Sequence, residues 1–208
     1  KKEKMAKSTY SLNFNRVKRG SAGYFDFKPG QYMKIYLLIP NPDERGSSRY
    51  FTISSSPTDK EYLTITTRII KSSFKLRLNE LKPGEKVSAF GPLGYFDFDV
   101  KNKRTKVFLS GGMGITPYHS ILRFLDAKRL KVPITLISSF SSFGEVIFYK
   151  ELKSFEKLNT AFKMIYSLTK DQKIYPDFEK GRIDGKMIKK YVQSYRKSKF
   201  FVVGPEAF

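Results

Sequence analysis

The hydrophobic pattern changes its period part-way along the 208-residue chain, and this change limits the possible folds more than any other feature. Up to about residue 100, apolar residues alternate with polar ones, which is typical of half-buried strands. After residue 106, short apolar runs alternate with segments of helical period, which predicts strands and helices in turn. The polar basic stretch at 101–106 is the predicted linker. The sequence therefore predicts two domains, at 1–101 and 102–208.

The first half contains two clear strand patterns. Residues 31–39 alternate with Met33 and Ile35 on one face, and residues 62–70 alternate in the same way. Many short strands with turns between them predict an antiparallel β-barrel. One short helix follows the second pattern. Its apolar face consists of Phe74, Leu78 and Leu81, and its N-cap is Ser72 or Ser73.

The second half predicts an α/β domain with a parallel sheet covered on both sides. Its predicted strands lie at 107–109, 134–137, 162–168 and 200–203. The segments between them carry apolar residues at helical spacing, and Asp184 is the expected N-cap of the last helix.

The sequence contains no Cys and one His, His119. Disulfide scaffolds, zinc ribbons, iron-sulfur ligation and thiol catalysis are therefore excluded. A single His cannot build a multi-histidine metal site, so we predict no metal site. The chemistry of the protein must come from other groups.

The chain is strongly basic, with 40 Lys and Arg against 19 Asp and Glu and a net charge of +21. A field of this size attracts nucleic acid, anionic membranes, phosphate-bearing cofactors and acidic proteins. Basic residues occur in every segment, which fits a solvated basic surface better than a dedicated nucleic-acid stripe.

Two features of the sequence bear on location. No uncharged stretch reaches the ~18 apolar residues of a membrane-spanning helix, and no apolar leader opens the sequence. A cytoplasmic location is expected. Residues 1–4, ahead of Met5, are compatible with an upstream extension or with the remnant of a tag.

A glycine-rich turn, LSGGMGITP at 109–117, is the strongest local signal. It follows a predicted strand and opens a predicted helix, with Thr116 as N-cap and Pro117 at the first helical position. Glycines let backbone amides approach a ligand, and the start of a helix favours an anion such as a diphosphate. The alternative is a turn that only packs strand against helix. The spacing is neither the G-x-G-x-x-G fingerprint nor a P-loop.

Two further segments point to phosphate. The extended segment at 49–55 places Arg49, Phe51 and Ile53 on one side, where an Arg and an aromatic ring can clamp a phosphate and cover a flat ring. The alternative is that Arg49 is a charged residue at the rim of the barrel and Phe51 a residue of its core. At 68–74, hydroxyls and amides at a helix start also invite a phosphate, although ordinary N-capping explains them equally well.

Taken in order, these segments resemble the ferredoxin-NADP reductase-like family of flavin oxidoreductases over nearly the whole chain. Five motifs carry the resemblance: FKPGQ at 27–31, RYFT at 49–52, GPLGYF at 91–96, the turn at 111–117, and VGP at 203–205. The resemblance implies a flavin-binding barrel followed by a nucleotide-binding α/β domain, with reduced nicotinamide docking between them. FAD is the implied cofactor and NAD(P)H the implied substrate.

The resemblance also implies roles for individual residues in the first half. Arg49 would hold the flavin diphosphate, and Phe51 would lie along the isoalloxazine ring. Thr52 would hydrogen-bond near flavin N5, which makes it the catalytic candidate. The other implied flavin-site residues are Tyr50, Arg68, Ile69, Ser72 and Ser73.

In the second half, the turn at 111–117 would cradle the dinucleotide, and Ser138 and Ser139, expected at the end of a strand, would face its adenosine end. The residues implied for the nucleotide are Gly111, Gly112, Gly114, Thr116, Pro117, Ser138, Ser139, Gly204 and Pro205.

The chain departs from the family pattern at three places. Val203 replaces the family's Cys near the transferring nicotinamide carbon, and Phe51 replaces a Tyr. The sequence also stops at Phe208, just after a strand and turn where the family continues through another helix.

The leading functional hypothesis is a flavoprotein reductase that moves hydride from NAD(P)H to FAD and then electrons to an acceptor. The basic surface suits an acidic carrier such as ferredoxin or flavodoxin. The alternatives are an electron-transfer subunit of a larger complex and a flavin or nucleotide binder without turnover. A specific nucleic-acid binder is disfavoured because no helix-turn-helix or concentrated basic helix is found.

Overall fold

The computed structural model describes residues 1–16, 25–206 and 208. It divides into two compact units, unit 1 at Lys1–Phe96 and unit 2 at Asp97–Phe208. The division falls before the predicted boundary at residue 101. The reason is local packing, because the Phe98 ring lies 5.9 Å from the Phe108 ring, and Lys199 pairs with Asp97.

Unit 1 is built from antiparallel sheets. Its strands are β1 (Lys2–Ala6), β2 (Thr9–Asn15), β3 (Tyr32–Tyr36), β4 (Ser48–Thr52), β5 (Tyr62–Arg68) and β6 (Ser88–Leu93). They form two three-stranded sheets in the orders β1-β2-β5 and β4-β3-β6, and a bridge between Ile53 and Ile65 links them. The short helix α1 (Ser73–Glu80) follows β5. The predicted antiparallel architecture with a short helix is confirmed.

The alternation of side chains explains how these strands bury one face. Met33 and Ile35 of β3 are fully buried, whereas Tyr32 and Tyr36 on the other face are exposed. The helix joins the same core through Phe74 and Leu78, one turn apart. The core of unit 1 contains Leu12, Phe27, Met33, Ile35, Leu37, Phe51, Ile53, Leu63, Ile65, Phe74 and Leu78.

The N-terminal residues form part of unit 1. β1 pairs antiparallel with β2, with Lys4 opposite Tyr10, and the Lys2 ammonium donates to the Asn79 carbonyl at 2.8 Å. Residues 2–6 are therefore an edge strand of unit 1. Backbone pairing holds this strand, and a polar sequence gives no hydrophobic signal of it.

Unit 2 is built around a parallel sheet. Its strands are β7 (Lys106–Gly111), β8 (Ile134–Phe140), β9 (Phe162–Leu168), β10 (Phe178–Lys180) and β11 (Lys199–Val203), in the order β10-β9-β8-β7-β11. Its helices are α2 (Thr116–Ala127), α3 (Tyr149–Leu158) and α4 (Gly185–Tyr191). The predicted parallel α/β sheet is confirmed.

Helices cover the two faces of this sheet. Phe108 of β7 stacks on Tyr118 of α2, with ring centroids 4.3 Å apart. The neighbouring residues Val107 and Leu109 point the other way and pack with Met187 of α4. The side chain of Asp184 caps α4, as predicted, by accepting from the Met187 amide at 2.7 Å.

The register of the parallel strands positions the glycine-rich turn. Gly111 pairs with Ser139 of β8, and Ser110 pairs with Val203 of β11. The carboxyl end of β7 therefore lies level with those of its two neighbours, and ligands of open α/β sheets bind at this edge. Within the residues that the structure describes, no helix is long and apolar enough to cross a membrane.

Candidate functional site

The glycine-rich turn connects β7 directly to α2. A 3₁₀ turn at Gly112–Ile115 follows the strand, and α2 begins at Thr116 with Pro117 in its first turn. The prediction that Thr116 is the N-cap is wrong, because Thr116 already has helical dihedrals and its hydroxyl donates to the Met113 carbonyl at 2.9 Å. The 3₁₀ turn leads into the helix without the extended residue that an N-cap requires.

The glycines of this turn have different surroundings. Gly112 has a left-handed backbone, with φ of +53°, and nothing lies within 4 Å of the position that a Cβ would take. At Gly114 a Cβ would lie 2.1 Å from the Val203 carbonyl oxygen, and at Gly111 it would lie 2.7 Å from the Phe208 ring. Gly111 and Gly114 therefore allow close packing, whereas Gly112 leaves open space beside the backbone.

The VGP turn lies against this glycine-rich turn. The position of a Cβ on Gly111 is 3.1 Å from Pro205, and that on Gly114 is 3.1 Å from the Gly204 nitrogen. The structure thus brings together two motifs that are distant in sequence and were both assigned to the nucleotide.

The two serines of β8 lie in the last three residues of the strand. β8 continues one residue beyond Ser139, to Phe140, so the strand is longer than predicted and both serines lie within it. Ser138 is fully buried, its hydroxyl 2.6 Å from that of Ser110, and Ser139 is also buried. Ser141 and Ser142 are the serines that follow the strand, and the predicted strand was too short because the serines interrupt the apolar run.

An aromatic cluster at the same end of the sheet was missed by sequence reasoning. Phe143, beyond β8, stacks on Tyr175 with centroids 4.5 Å apart and planes inclined by 7°. Asp171 accepts from the Phe143 amide at 3.0 Å and so holds the loops after β8 and β9 together. Phe143 remains exposed, so this cluster offers an aromatic surface beside the strand ends. Aromatic residues scattered over two loops give no local sequence signal.

Arg49 of β4 is the centre of the candidate phosphate site in unit 1. It is buried, with 8% of its surface exposed. Its Nη1 donates to the carbonyls of Arg45, Gly46 and Ser48 at 2.6 to 2.7 Å, and its Nη2 donates to Asp43 Oδ1 at 2.8 Å. The guanidinium therefore ties the loop at 43–48 to β4.

Asp43 joins Arg49 to the start of α1. Its Oδ2 accepts from the Ser73 amide at 3.0 Å, and its own amide donates to the Ser73 hydroxyl at 2.8 Å. Desolvation opposes ionisation of Asp43, but the hydrogen bonds from Ser73 and Arg49 outweigh it and lower the pKa of this carboxyl. Sequence reasoning missed Asp43 because it lies in a loop outside every motif.

The predicted phosphate-binding residues after β5 all have partners within unit 1. Arg68 is the last residue of β5 and pairs with Thr9 of β2, and the Ile69 amide donates to the Ser8 carbonyl at 2.7 Å. Ser72 is the N-cap of α1, since its hydroxyl accepts from the Lys75 amide at 3.2 Å. Ordinary N-capping thus describes Ser72, and Ser73 faces Asp43.

The aromatic residues of the RYFT motif lie on opposite faces of β4. Phe51 is buried and pairs with Met33, and its ring lies 5.8 Å from that of Phe74. Tyr50 is 61% exposed and shares the other face with Thr52. The exposed ring of the motif therefore belongs to Tyr50, while Arg49 and Phe51 point towards the core and α1.

Lys75 of α1 is a further basic group near Arg49. Its ammonium lies 4.4 Å from the centroid of the Phe51 ring and donates to the Thr67 hydroxyl. Burial, together with the positive charges of Arg49 and Arg45, lowers the pKa of Lys75 to about 8. A Lys on a short amphipathic helix is usually assigned to the solvated face, so no sequence pattern singled out Lys75.

His119 has a structural place in unit 2. Its Nε2 lies 2.9 Å from Glu151 Oε2, and its ring stacks on that of Phe148 at 3.7 Å. Among residues 1–16, 25–206 and 208, no group of three or more His, Asp or Glu could hold a metal ion.

Comparison with known proteins shows which family the second half of the chain matches and which fold the whole chain shares. Residues 108–208 match the family described as oxidoreductase NAD-binding domain. The cytochrome b5 reductase domain of Ulva prolifera nitrate reductase has the same fold, with a TM-score of 0.82 at 17% identity over 99% of this chain and 85% of that chain. A ferredoxin-NADP⁺ reductase from Plasmodium falciparum gives a TM-score of 0.74 at 20% identity, over 97% of this chain and 82% of that chain.

Residues 108–208 thus match an NAD-binding oxidoreductase family, and the whole chain has the fold of the ferredoxin-NADP reductase-like proteins. The resemblance stated from the five motifs is thereby confirmed. An NADPH oxidoreductase of Mycobacterium tuberculosis is 28% identical over 195 residues, which are 91% of this chain and 48% of that protein. A flavohemoprotein of Vibrio cholerae is 31% identical over 156 residues, or 72% of this chain and 39% of that protein. This ferredoxin-NADP reductase-like chain thus spans about half or less of these relatives.

Proposed function

We propose that this chain is an NAD(P)H-dependent flavoprotein reductase, which moves hydride from NAD(P)H to FAD and then electrons to an acceptor. The observation that carries the proposal is the open turn at Gly112. It combines a left-handed glycine with free space and the start of α2, at the carboxyl edge of a parallel sheet. The family supplies the expectation of a flavin in the other unit.

The residues of unit 1 fit the charge of a flavin diphosphate. Arg49, Arg45 and Lys75 are three basic groups near one carboxylate, and the amide of Ser73 opens α1 beside them. FAD, when bound, supplies the redox chemistry, and the protein contributes position and electrostatics.

The exposed face of β4 offers groups for a flat ring. Tyr50 presents an aromatic side chain and Thr52 a hydroxyl on the same face, with the Lys34 ammonium 5.3 Å from the Tyr50 ring. We propose Thr52 for the contact to flavin N5 and Tyr50 for contact with the ring. Phe51, which the resemblance implied for that contact, supports β4 from the core side instead.

For the nucleotide we propose Gly112 and the first turn of α2 as the diphosphate cradle, with Gly204 and Pro205 beside it. Both Gly111 and Gly114 shape this cradle through packing. The aromatic pair of Phe143 and Tyr175 is the candidate surface for the adenine, since a flat base stacks well on an exposed ring. Ser139 remains the proposed hydroxyl on β8.

An acidic electron carrier is the proposed acceptor, because the net charge of +21 favours such a partner. A second candidate function is an electron-transfer subunit. A glycine betaine monooxygenase reductase subunit of Pseudomonas aeruginosa is 34% identical over 132 residues, which are 62% of this chain and 35% of that protein. Steady turnover with a soluble carrier alone distinguishes the enzyme from a subunit that requires its partner.

The absorption spectrum of the purified protein after incubation with FAD and removal of free flavin tests the first step. We expect flavin bands at one FAD per chain, shifted from those of free FAD. A protein without flavin bands under these conditions would contradict the proposal.

A further inference from the structure

The carboxylate of Asp43 already has the partners that a phosphate would need. One oxygen accepts from the Arg49 guanidinium at 2.8 Å, and the other accepts from the Ser73 amide at the start of α1 at 3.0 Å. A guanidinium and an amide at the start of a helix are also the two groups that recognise phosphate oxygens. Asp43 therefore presents its negative charge where the proposed diphosphate would be bound.

We propose that Asp43 is an internal competitor of the flavin diphosphate. The carboxylate must leave Arg49 and Ser73 before a phosphate can bind to both, so the protein weakens its own flavin affinity. This inference rests on the proposed function, and it gives Asp43 a role that neither the motifs nor the relatives assign.

The remaining contacts of Arg49 allow such an exchange. Asp43 is bonded to Nη2, whereas the three carbonyls at 45, 46 and 48 are bonded to Nη1. The guanidinium is thus still held when the carboxylate leaves. The side chain of Asp43 is 31% exposed, so water can take over its hydrogen bonds.

The local charge favours an anion with more charge than one carboxylate. The positive charges of Arg45 and Arg49 disfavour the charged form of Lys75, so the three basic groups lie close to one another. One carboxylate leaves this cluster with an excess of positive charge. A diphosphate, with two negative charges, matches the cluster better once Asp43 has moved.

The variant Asp43→Asn tests the inference, because the amide keeps the shape of the side chain but removes its charge. We expect the dissociation constant for FAD, measured by titration of the apoprotein, to fall by about tenfold or more. In the absence of FAD the variant should melt at a lower temperature than the wild type, since it loses the ion pair with Arg49. The gain in melting temperature on adding FAD should be larger than for the wild type.

Asp171→Asn is the matched control. Besides the Ser73 amide, the Arg45 amide donates to Asp43, at 3.1 Å to Oδ1. Asp171 likewise accepts hydrogen bonds from two backbone amides, those of Phe143 and Lys173, but it lies in unit 2. The control changes the net charge by the same amount, so a general effect of charge on FAD binding would appear in both variants. We expect FAD affinity of the control to equal that of the wild type.

The outcomes separate this inference from the proposed function. Equal or weaker FAD binding by Asp43→Asn, with tight binding by the wild type, overturns the competition and leaves the reductase proposal intact. An equal gain in the control also overturns it, since charge alone would then explain the effect. If neither the wild type nor Asp43→Asn binds FAD, both proposals fail.

Discussion

Replacing Gly112 and Gly114 separately by Ala tests whether the glycine-rich turn binds a nucleotide or only packs. An added methyl group at Gly112 meets no atom within 4 Å, so its cost to stability comes from the left-handed backbone, with φ of +53°. That cost is about 1 kcal/mol. The methyl group would, however, occupy the open space that we assign to the dinucleotide.

The same substitution at Gly114 meets the protein itself. The added Cβ would lie 2.1 Å from the Val203 carbonyl oxygen, and Val203 is held in β11 by its pairing with Ser110. The backbone must move, so we expect a loss of roughly 3 kcal/mol in the free energy of unfolding, at the upper end of overpacking costs.

Chemical denaturation and calorimetric titration with NADH and NADPH measure both effects. We expect Gly112→Ala to lose about 1 kcal/mol of unfolding free energy but at least tenfold in nucleotide affinity, with FAD binding unchanged. Wild-type nucleotide affinity in Gly112→Ala would refute the assignment of the turn to the nucleotide. Wild-type stability in Gly114→Ala would refute the packing argument.

Three further predictions concern the basic groups. Arg49→Ala should weaken FAD binding by roughly 1.5 to 3 kcal/mol in apoprotein titrations, because a charge-assisted contact to phosphate is lost. Lys75 has a pKa of about 8 when folded, against its ordinary 10.5. The unfolded chain therefore binds more protons between these pH values, so the free energy of unfolding should rise with pH from about 8 to about 10, less so in Lys75→Met. In stopped-flow experiments, electron delivery to ferredoxin or flavodoxin should slow steeply as salt is added, because salt screens the attraction between surface charges more than ~10 Å apart at 0.1 M ionic strength. The rate of flavin reduction by NAD(P)H should change little.

Each of these has a contrary result. Unchanged FAD affinity in Arg49→Ala would remove Arg49 from the flavin site. The same pH dependence in Lys75→Met as in the wild type would show that folding does not lower the pKa of Lys75. Equal salt dependence of delivery and reduction would leave the net charge of +21 as a solvated surface only.

Where the hydrophobic pattern is long and regular, the sequence predicted the structure closely. β9 has the predicted bounds, Phe162–Leu168, because a short run of mostly apolar residues is typical of a strand buried on both faces of a parallel sheet. The capping role of Asp184 was also predictable, since a cap depends on residues within one turn. The strands β1 and β10 were missed because they are short or polar and gain their stability from pairing with a neighbour.

The candidate site was less predictable because its contacts join distant segments. Arg49 was recognised from its motif, but its partner Asp43 lies in a loop, and Ser73, which completes the contact, is 30 residues further along than Asp43. The different surroundings of Gly112 and Gly114 depend on how β11 lies against β7, which no local pattern contains. Motifs thus predicted which residues matter, and packing decides what each of them contacts.

Anaerobic addition of NADH or NADPH to the FAD-loaded protein tests the central claim most directly. We predict that the flavin absorption band bleaches on mixing, at a rate that saturates with nucleotide concentration and falls in Gly112→Ala. A protein that binds FAD but whose flavin band persists in the presence of both nucleotides would contradict the reductase proposal and support a binder without turnover.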